Sequence, residues 1–304
     1  MFALTIGGFL GVAAAAPPQE TTIDDVVTYT IDSDTFELLR YAFETEVFAA
    51  VGVVATVSGE VIEDCESLAY VPDGPDKGVY SAPTKGPYAR HIVKIDPLTA
   101  IATVFLATAV PANRKVTGMV SYDGGDGQWY VLAASSEALA SDPDRSESRV
   151  LIRIDPKNGT SAIVATNAML GDGRRFEGLA IDARGYLYAI SRTHFYRIHH
   201  EAGYWVEDFG ETGLDKAEAF EIAVGDFQYS ITIPGVDPSW TQYGVFFVAS
   251  EQPQQFGVLN PADGSFAEYL VGGSPSTFVT KDAEGLIVVT VRHDPLFGVL
   301  RGFD

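Results

Sequence analysis

Five apolar runs in this sequence open on a side chain that carries oxygen. Glu66 precedes Ser67–Tyr70, Thr117 precedes Gly118–Ser121, Glu177 precedes Gly178–Asp182, Glu221 precedes Ile222–Asp226, and Thr277 precedes Phe278–Asp282. Brought together on one axis, three carboxylates and two hydroxyls repel unless something positive lies between them, because like charges in a partly desolvated ring raise one another's pKa. Ca²⁺ is the hard cation suited to such a ring, since it takes roughly six to eight oxygen ligands including carboxylates and waters. The column Glu66, Thr117, Glu177, Glu221 and Thr277 is therefore a candidate Ca²⁺ site. Its alternative is a water-filled ring whose polar groups cap backbone N–H groups.

Arg174 and Arg175 stand just before Glu177. A guanidinium grips carboxylate or phosphate through two parallel hydrogen bonds, so this pair is a candidate site for a small anionic ligand. Its alternative is pairing with the acidic surface. The histidines offer no metal or acid–base pattern: His91 and His194 lie on outer strands, His199, His200 and His293 lie in turns, and no His-Glu-x-x-His spacing occurs. The single cysteine, Cys65, permits neither an intrachain disulfide nor a thiolate cluster and is read as a buried structural thiol. No general acid–base pair or nucleophile can be assigned.

The elements that must position these residues are strands. A second set of apolar runs recurs: Val27–Ser33, Ile92–Pro97, Leu151–Pro156, Phe195–His200 and Phe256–Pro261. Several are followed by a tight turn, Asn158-Gly159, Ala202-Gly203 or Asp263-Gly264, and then a further apolar run. Two-residue turns of the Asn-Gly and Asp-Gly kind are strong hairpin signals. Joined to the oxygen-headed runs, they give four-stranded antiparallel meanders whose starts lie 51, 60, 44 and 56 residues apart. Such a unit cannot bury its own faces and must stack on its neighbours. The last unit starts too late for a full blade and the first hairpin lacks inner strands, so the N-terminal hairpin Val27–Tyr41 is expected on the outside of the last blade. Closure of this kind removes unpaired edges.

The pattern apolar-x-[Arg/Lys]-Ile-Asp-Pro resembles the β-propeller repeat proteins over nearly everything after residue 24. The expected fold is all-β, a β-propeller of four-stranded antiparallel blades, with residues 24–304 as one domain. Five blades are favoured; six remain open if Phe297–Leu300 is the third strand of a blade, for then Val27–Gly59 forms most of a sixth with Val51–Val57. The Glu177–Asp182 run is loosely similar to blade openings of calcium-centred lactonase and phosphoesterase-like propellers, and the oxygen ring to that of five-bladed nucleotidases. That likeness implies a Ca²⁺-dependent hydrolase with its site at the channel mouth. The chain departs from it: none of Asn113, Asn158, Asn167 and Asn260 falls in the column, and the nucleotidases' substrate-binding motifs are absent.

The totals restrict partners. Asp and Glu number 41 against 20 Lys and Arg, a net charge of −21, which excludes nucleic acid, whose binding rests on basic side chains neutralising phosphates. Residues 1–16 resemble a secretory signal, apolar and ending in Ala13–Ala16, although no Lys or Arg precedes the apolar run. No membrane span is expected after its removal. The expected location is secreted or periplasmic, and the expected state a monomer. Two loops are candidate partner surfaces: Ser135–Arg149, and Phe227–Gly244 with Tyr229, Trp240 and Tyr243. The favoured function is a secreted binding or scaffold propeller for a protein, glycan or small anionic ligand, and the hydrolase is the alternative.

Overall fold

The structure, a computed structural model, describes residues 26–42, 47–72, 77–107, 110, 114–125, 127–136, 145–146, 148–171, 173–223, 236–251, 254–268, 270–271, 274–275, 283–291 and 300–301. They form five antiparallel blades. Blade 1 runs outward through Cys65–Val71, Gly78–Pro83, Ile92–Ile95 and Ile101–Leu106. Blade 2 comprises Lys115–Asp123, Trp129–Ser136, Val150–Asp155 and Thr160–Ala165. Blade 3 comprises Gly178–Ile181, Leu187–Ile190, His194–His199 and Trp205–Glu211, and blade 4 Ala217–Ala223, Val245–Ser250, Gln255–Leu259 and Phe266–Glu268.

Blade 5 is built from both ends of the chain. Its innermost strand, Ala283–Val291, pairs with Val26–Asp32, which carries Glu37–Ala42 and then Val47–Val53 outward. The N-terminal segment closes the ring as expected, but it supplies three strands of the blade rather than an outer hairpin. The run Gly285–Val289 lies in the innermost strand. The alternative of six blades falls, because the segment that would have founded the sixth is committed to blade 5. The chain then crosses to blade 1, where Ala55–Thr56 lies parallel to Ile101–Ala102 on the outer edge. The segment Leu300–Arg301 pairs with the end of Ala283–Val291.

Burial follows the repeat. Inner strands are covered on both faces, as in Cys65–Val71, where every residue is buried, whereas outer strands such as Thr160–Ala165 are largely exposed. Between each pair of neighbouring blades lies an apolar layer. Phe195, Phe220, Phe246 and Tyr188 fill the layer between blades 3 and 4 with edge-on and stacked ring contacts of 5.0–6.3 Å. Each such pair adds roughly 0.5–1.5 kcal/mol beyond area burial. Trp240 packs against the layer between blades 4 and 5. Tyr229 and most of Ser135–Arg149 lie outside the described residues, as do residues 1–16. Among the described residues no helix is long and apolar enough to cross a membrane.

Candidate functional site

The five inner strands pack side by side in a closed ring, blade 5 against blade 1 included, so each strand presents equivalent positions to one central channel. The apolar layers fix the register. Leu68, Met119, Leu179, Phe220 and Leu286 each face the preceding blade. The residue before each is small: Ser67, Gly118, Gly178, Ala219 and Gly285. The strands approach closely there. A Cβ added at Gly118 would lie 2.9 Å from the Gly178 backbone carbon, and one at Gly178 would lie 2.7 Å from the Phe220 Cβ. One residue earlier is the polar column at the channel's first mouth: Glu66, Thr117, Glu177, Glu218 and Glu284.

Three of the five expected members are thus brought to one level: Glu66, Thr117 and Glu177. In blade 4 the equivalent residue is Glu218. Glu221 lies three residues further along the same strand, about 10 Å deeper at the rise of a β-strand. Thr277 lies outside the described residues, and the blade 5 counterpart is Glu284. The missed signal was in the sequence: an oxygen-bearing residue, a small residue, then a large apolar one, repeated as Glu66-Ser67-Leu68, Thr117-Gly118-Met119, Glu177-Gly178-Leu179, Glu218-Ala219-Phe220 and Glu284-Gly285-Leu286. The small residue, demanded by strand–strand approach, sets the register better than the polar one.

At this mouth the carboxylates meet basic side chains. Lys115 pairs with Glu66 and lies 4.0 Å from Asp64, which Lys85 reaches at 3.2 Å. Arg192 lies 3.1 Å and Lys216 3.4 Å from Glu218, and Lys216 also pairs with Glu251. Arg175 stands 3.5 Å from Glu177. Burial is the dominant influence on Glu177 and pushes its carboxyl up to about 7 against the pull of Arg175. Thr117 donates its hydroxyl hydrogen to the Phe176 carbonyl, stitching blade 2 to blade 3. Such pairing competes with a Ca²⁺ ion: Glu66, Glu177 and Glu218 each face an ammonium or guanidinium group, and the Thr117 hydroxyl is committed to backbone.

Arg175 serves Glu177, while Arg174 sits in a two-residue ladder with Arg145. The Arg174 carbonyl accepts from the buried Arg149, whose guanidinium also reaches the Leu170 and Gly171 carbonyls and lies 4.6 Å over the Phe176 ring. These arginines brace the loop that enters blade 3. Cys65 is buried at the start of blade 1, and burial pushes its thiol up to about 12.

The opposite mouth is different. Four residues beyond the polar column, about 13 Å along the strands, Tyr70, Ser121, Ile181, Ile222 and Val288 occupy equivalent positions, and all five line one cavity of about 560 Å³. The cavity extends between blades 2 and 3, where Tyr122, Leu132, Leu187 and Tyr204 wall it, and Trp129, packed on the layer between blades 1 and 2, and His200 also line it. Its acidic lining is Asp123, Asp182 and Glu221, and among the described lining residues there is no Lys or Arg. Asp182 is held by Arg184, at 2.6 and 2.8 Å, and by the backbone N–H groups of Arg184 and Tyr186. Asp123 accepts from the Gly125 N–H in its turn. Glu221 accepts from the Ile222 N–H at 2.9 Å, and burial pushes its carboxyl up to about 8.

No protein-family model matches the chain, and no curated protein matches it. Among solved structures it is similar to an auxiliary nutrient binding protein from Bacteroides thetaiotaomicron, at 10% identity and a TM-score of 0.47. The match covers 88% of this chain and 64% of that protein, so the chain spans less than two thirds of its length.

Proposed function

We infer that this propeller is a binding protein whose ligand occupies the cavity at the second mouth of the channel. The observation that carries this reading is the convergence of all five inner strands on one half-open cavity of about 560 Å³. That volume is in the range of small-molecule sites, which are concave, largely apolar, and furnished with a few placed polar groups. Aromatic walls and a few carboxylates are what this cavity offers. The rigid ring around it holds those walls in place before a ligand arrives, which reduces the ordering cost of binding. A hydrolase is less well supported. At the first mouth the described carboxylates Glu66, Glu177 and Glu218 are held in ion pairs, which does not favour one of them as a general base. The acidic surface and the signal-like residues 1–16 support placing the protein outside the cytoplasm.

The test is a thermal-shift screen of neutral saccharides, amines and carboxylates against the wild type and Ala183→Trp. Ala183 is exposed at the cavity rim, and an indole there covers the opening without disturbing the ring. A ligand should raise the wild-type melting temperature and fail to raise that of the variant. A screen in which no compound distinguishes the two proteins refutes the reading.

A further inference from the structure

The two mouths differ in charge. At the first, each buried carboxylate faces Lys or Arg. At the second, Glu221 lies half-buried on the channel wall, three residues past Glu218. The residues around it at this mouth are Tyr70 from blade 1, Ser121, Tyr122 and Asp123 from blade 2, Ile181 and Asp182 from blade 3, and Val288 from blade 5. Of the basic groups near these, Arg184 is spent on Asp182 and on the Tyr243 ring, 3.9 Å away, and His200, which lines the cavity, lies 3.4 Å from Glu201. Glu221 is therefore a partly buried carboxylate whose hydrogen-bond donor among the described residues is the Ile222 N–H. An ionised group in that setting is costly unless a positive charge is brought to it. The same cavity is lined by the rings of Tyr122 and Tyr204, which pack together on the layer between blades 2 and 3, and aromatic faces attract cations.

We propose that the cavity takes a small organic cation, an amine or quaternary ammonium, with Glu221 as its counter-charge and Tyr122 and Tyr204 as its aromatic walls. This rests on the cavity being the ligand site. An anion would meet Glu221, Asp123 and Asp182, and the base among the described lining residues, His200, is already turned to Glu201. A neutral sugar could use the rings but leaves the Glu221 charge uncompensated. A cation beside Glu221 also restores its ionised form. Binding then expels the proton that burial holds there, and apparent affinity rises with pH up to about 8.

The probes are choline and its uncharged isostere 3,3-dimethyl-1-butanol, titrated by calorimetry into the full chain at pH 6.5 and 8.5. Choline should bind at least about tenfold tighter than the isostere, and tighter by about twentyfold at the higher pH, as expected for release of one proton. Glu221→Gln, which keeps shape and removes charge, should weaken choline at least about tenfold, abolish the pH dependence, and leave the isostere unchanged. Near-ultraviolet circular dichroism checks that the variant is folded, and Glu221→Asp should recover part of the affinity. Equal binding of the two probes, or choline binding indifferent to Glu221→Gln, overturns the proposal. If choline is silent while another compound binds in a manner blocked by Ala183→Trp, the cation falls and the cavity stands. If no compound at all is sensitive to Ala183→Trp, both fall.

Discussion

Replacing Gly285 by alanine tests the ring closure at its most demanding seam, where the strand from the C-terminal end of the chain meets blade 1. Gly285 has φ +62°, and a Cβ there would lie 2.6 Å from the Leu68 nitrogen and 2.8 Å from the Ser67 carbonyl carbon. Both are backbone atoms of a buried inner strand and cannot swing aside. Gly159, at a hairpin tip, has the same φ of +62° but nothing within 4 Å of its would-be Cβ. The matched pair separates two costs. Left-handed backbone geometry costs about 1–2 kcal/mol for a residue with a Cβ, and overpacking a buried contact adds about 1–3 kcal/mol. Gly159→Ala should therefore lose about 1 kcal/mol, and Gly285→Ala about 2–4 kcal/mol. Urea unfolding followed by tryptophan fluorescence measures both, provided the slope of the transition is unchanged between variants. A Gly285→Ala protein no less stable than Gly159→Ala would mean that blades 5 and 1 do not approach as described, and the register of the whole channel would fall with it.

Stability should also fall as pH rises from about 4.5 to 8. Glu177 and Glu221 titrate at about 7 and about 8 when folded, against 4.5 unperturbed. In that window the folded state holds protons the unfolded chain has released, and each group contributes a slope of at most about 1.4 kcal/mol per pH unit. Glu221→Gln should flatten the upper part of a urea-midpoint-against-pH curve, and a wild-type curve that climbs from pH 5 to 8 refutes this assignment. Arg149→Met should cost about 3 kcal/mol by the same unfolding measurement, because it strands the Leu170, Gly171 and Arg174 carbonyls; a loss within 0.5 kcal/mol, about the effect of an ordinary surface change, would show the guanidinium to be dispensable. Millimolar Ca²⁺ should move the melting temperature by less than about 1 °C, since Lys115, Arg175, Arg192 and Lys216 already compensate the first mouth. A larger rise, lost in Glu177→Gln, would restore the metal reading.

The sequence by itself determined the blade, and the structure decided for five blades over six by committing the N-terminal strands to the last one. Strand alternation, turns such as Asn158-Gly159 and the repeat of apolar runs are local. A four-stranded meander with two apolar faces has no stable state except among copies of itself. The same locality placed Glu66, Thr117 and Glu177 on one level, because each opens a strand within its own blade. Glu218 and Glu284 were missed where the repeat loosened. In blade 4 two glutamates three residues apart both head apolar runs, and only the approach of Ala219 to the neighbouring strand selects Glu218. In blade 5 the strand partner of Ala283–Val291 is Val26–Asp32, more than two hundred residues away, so no neighbouring stretch of chain marks its depth. The tertiary structure alone decided the character of the two mouths. Lys115 and Glu66 are on different blades, as are Arg192 and Glu218. The cavity exists only because Tyr70, Ser121, Ile181, Ile222 and Val288 meet around an axis that no segment of the sequence contains. Charge compensation and cavity shape are sums over distant residues, and the ring performs that sum.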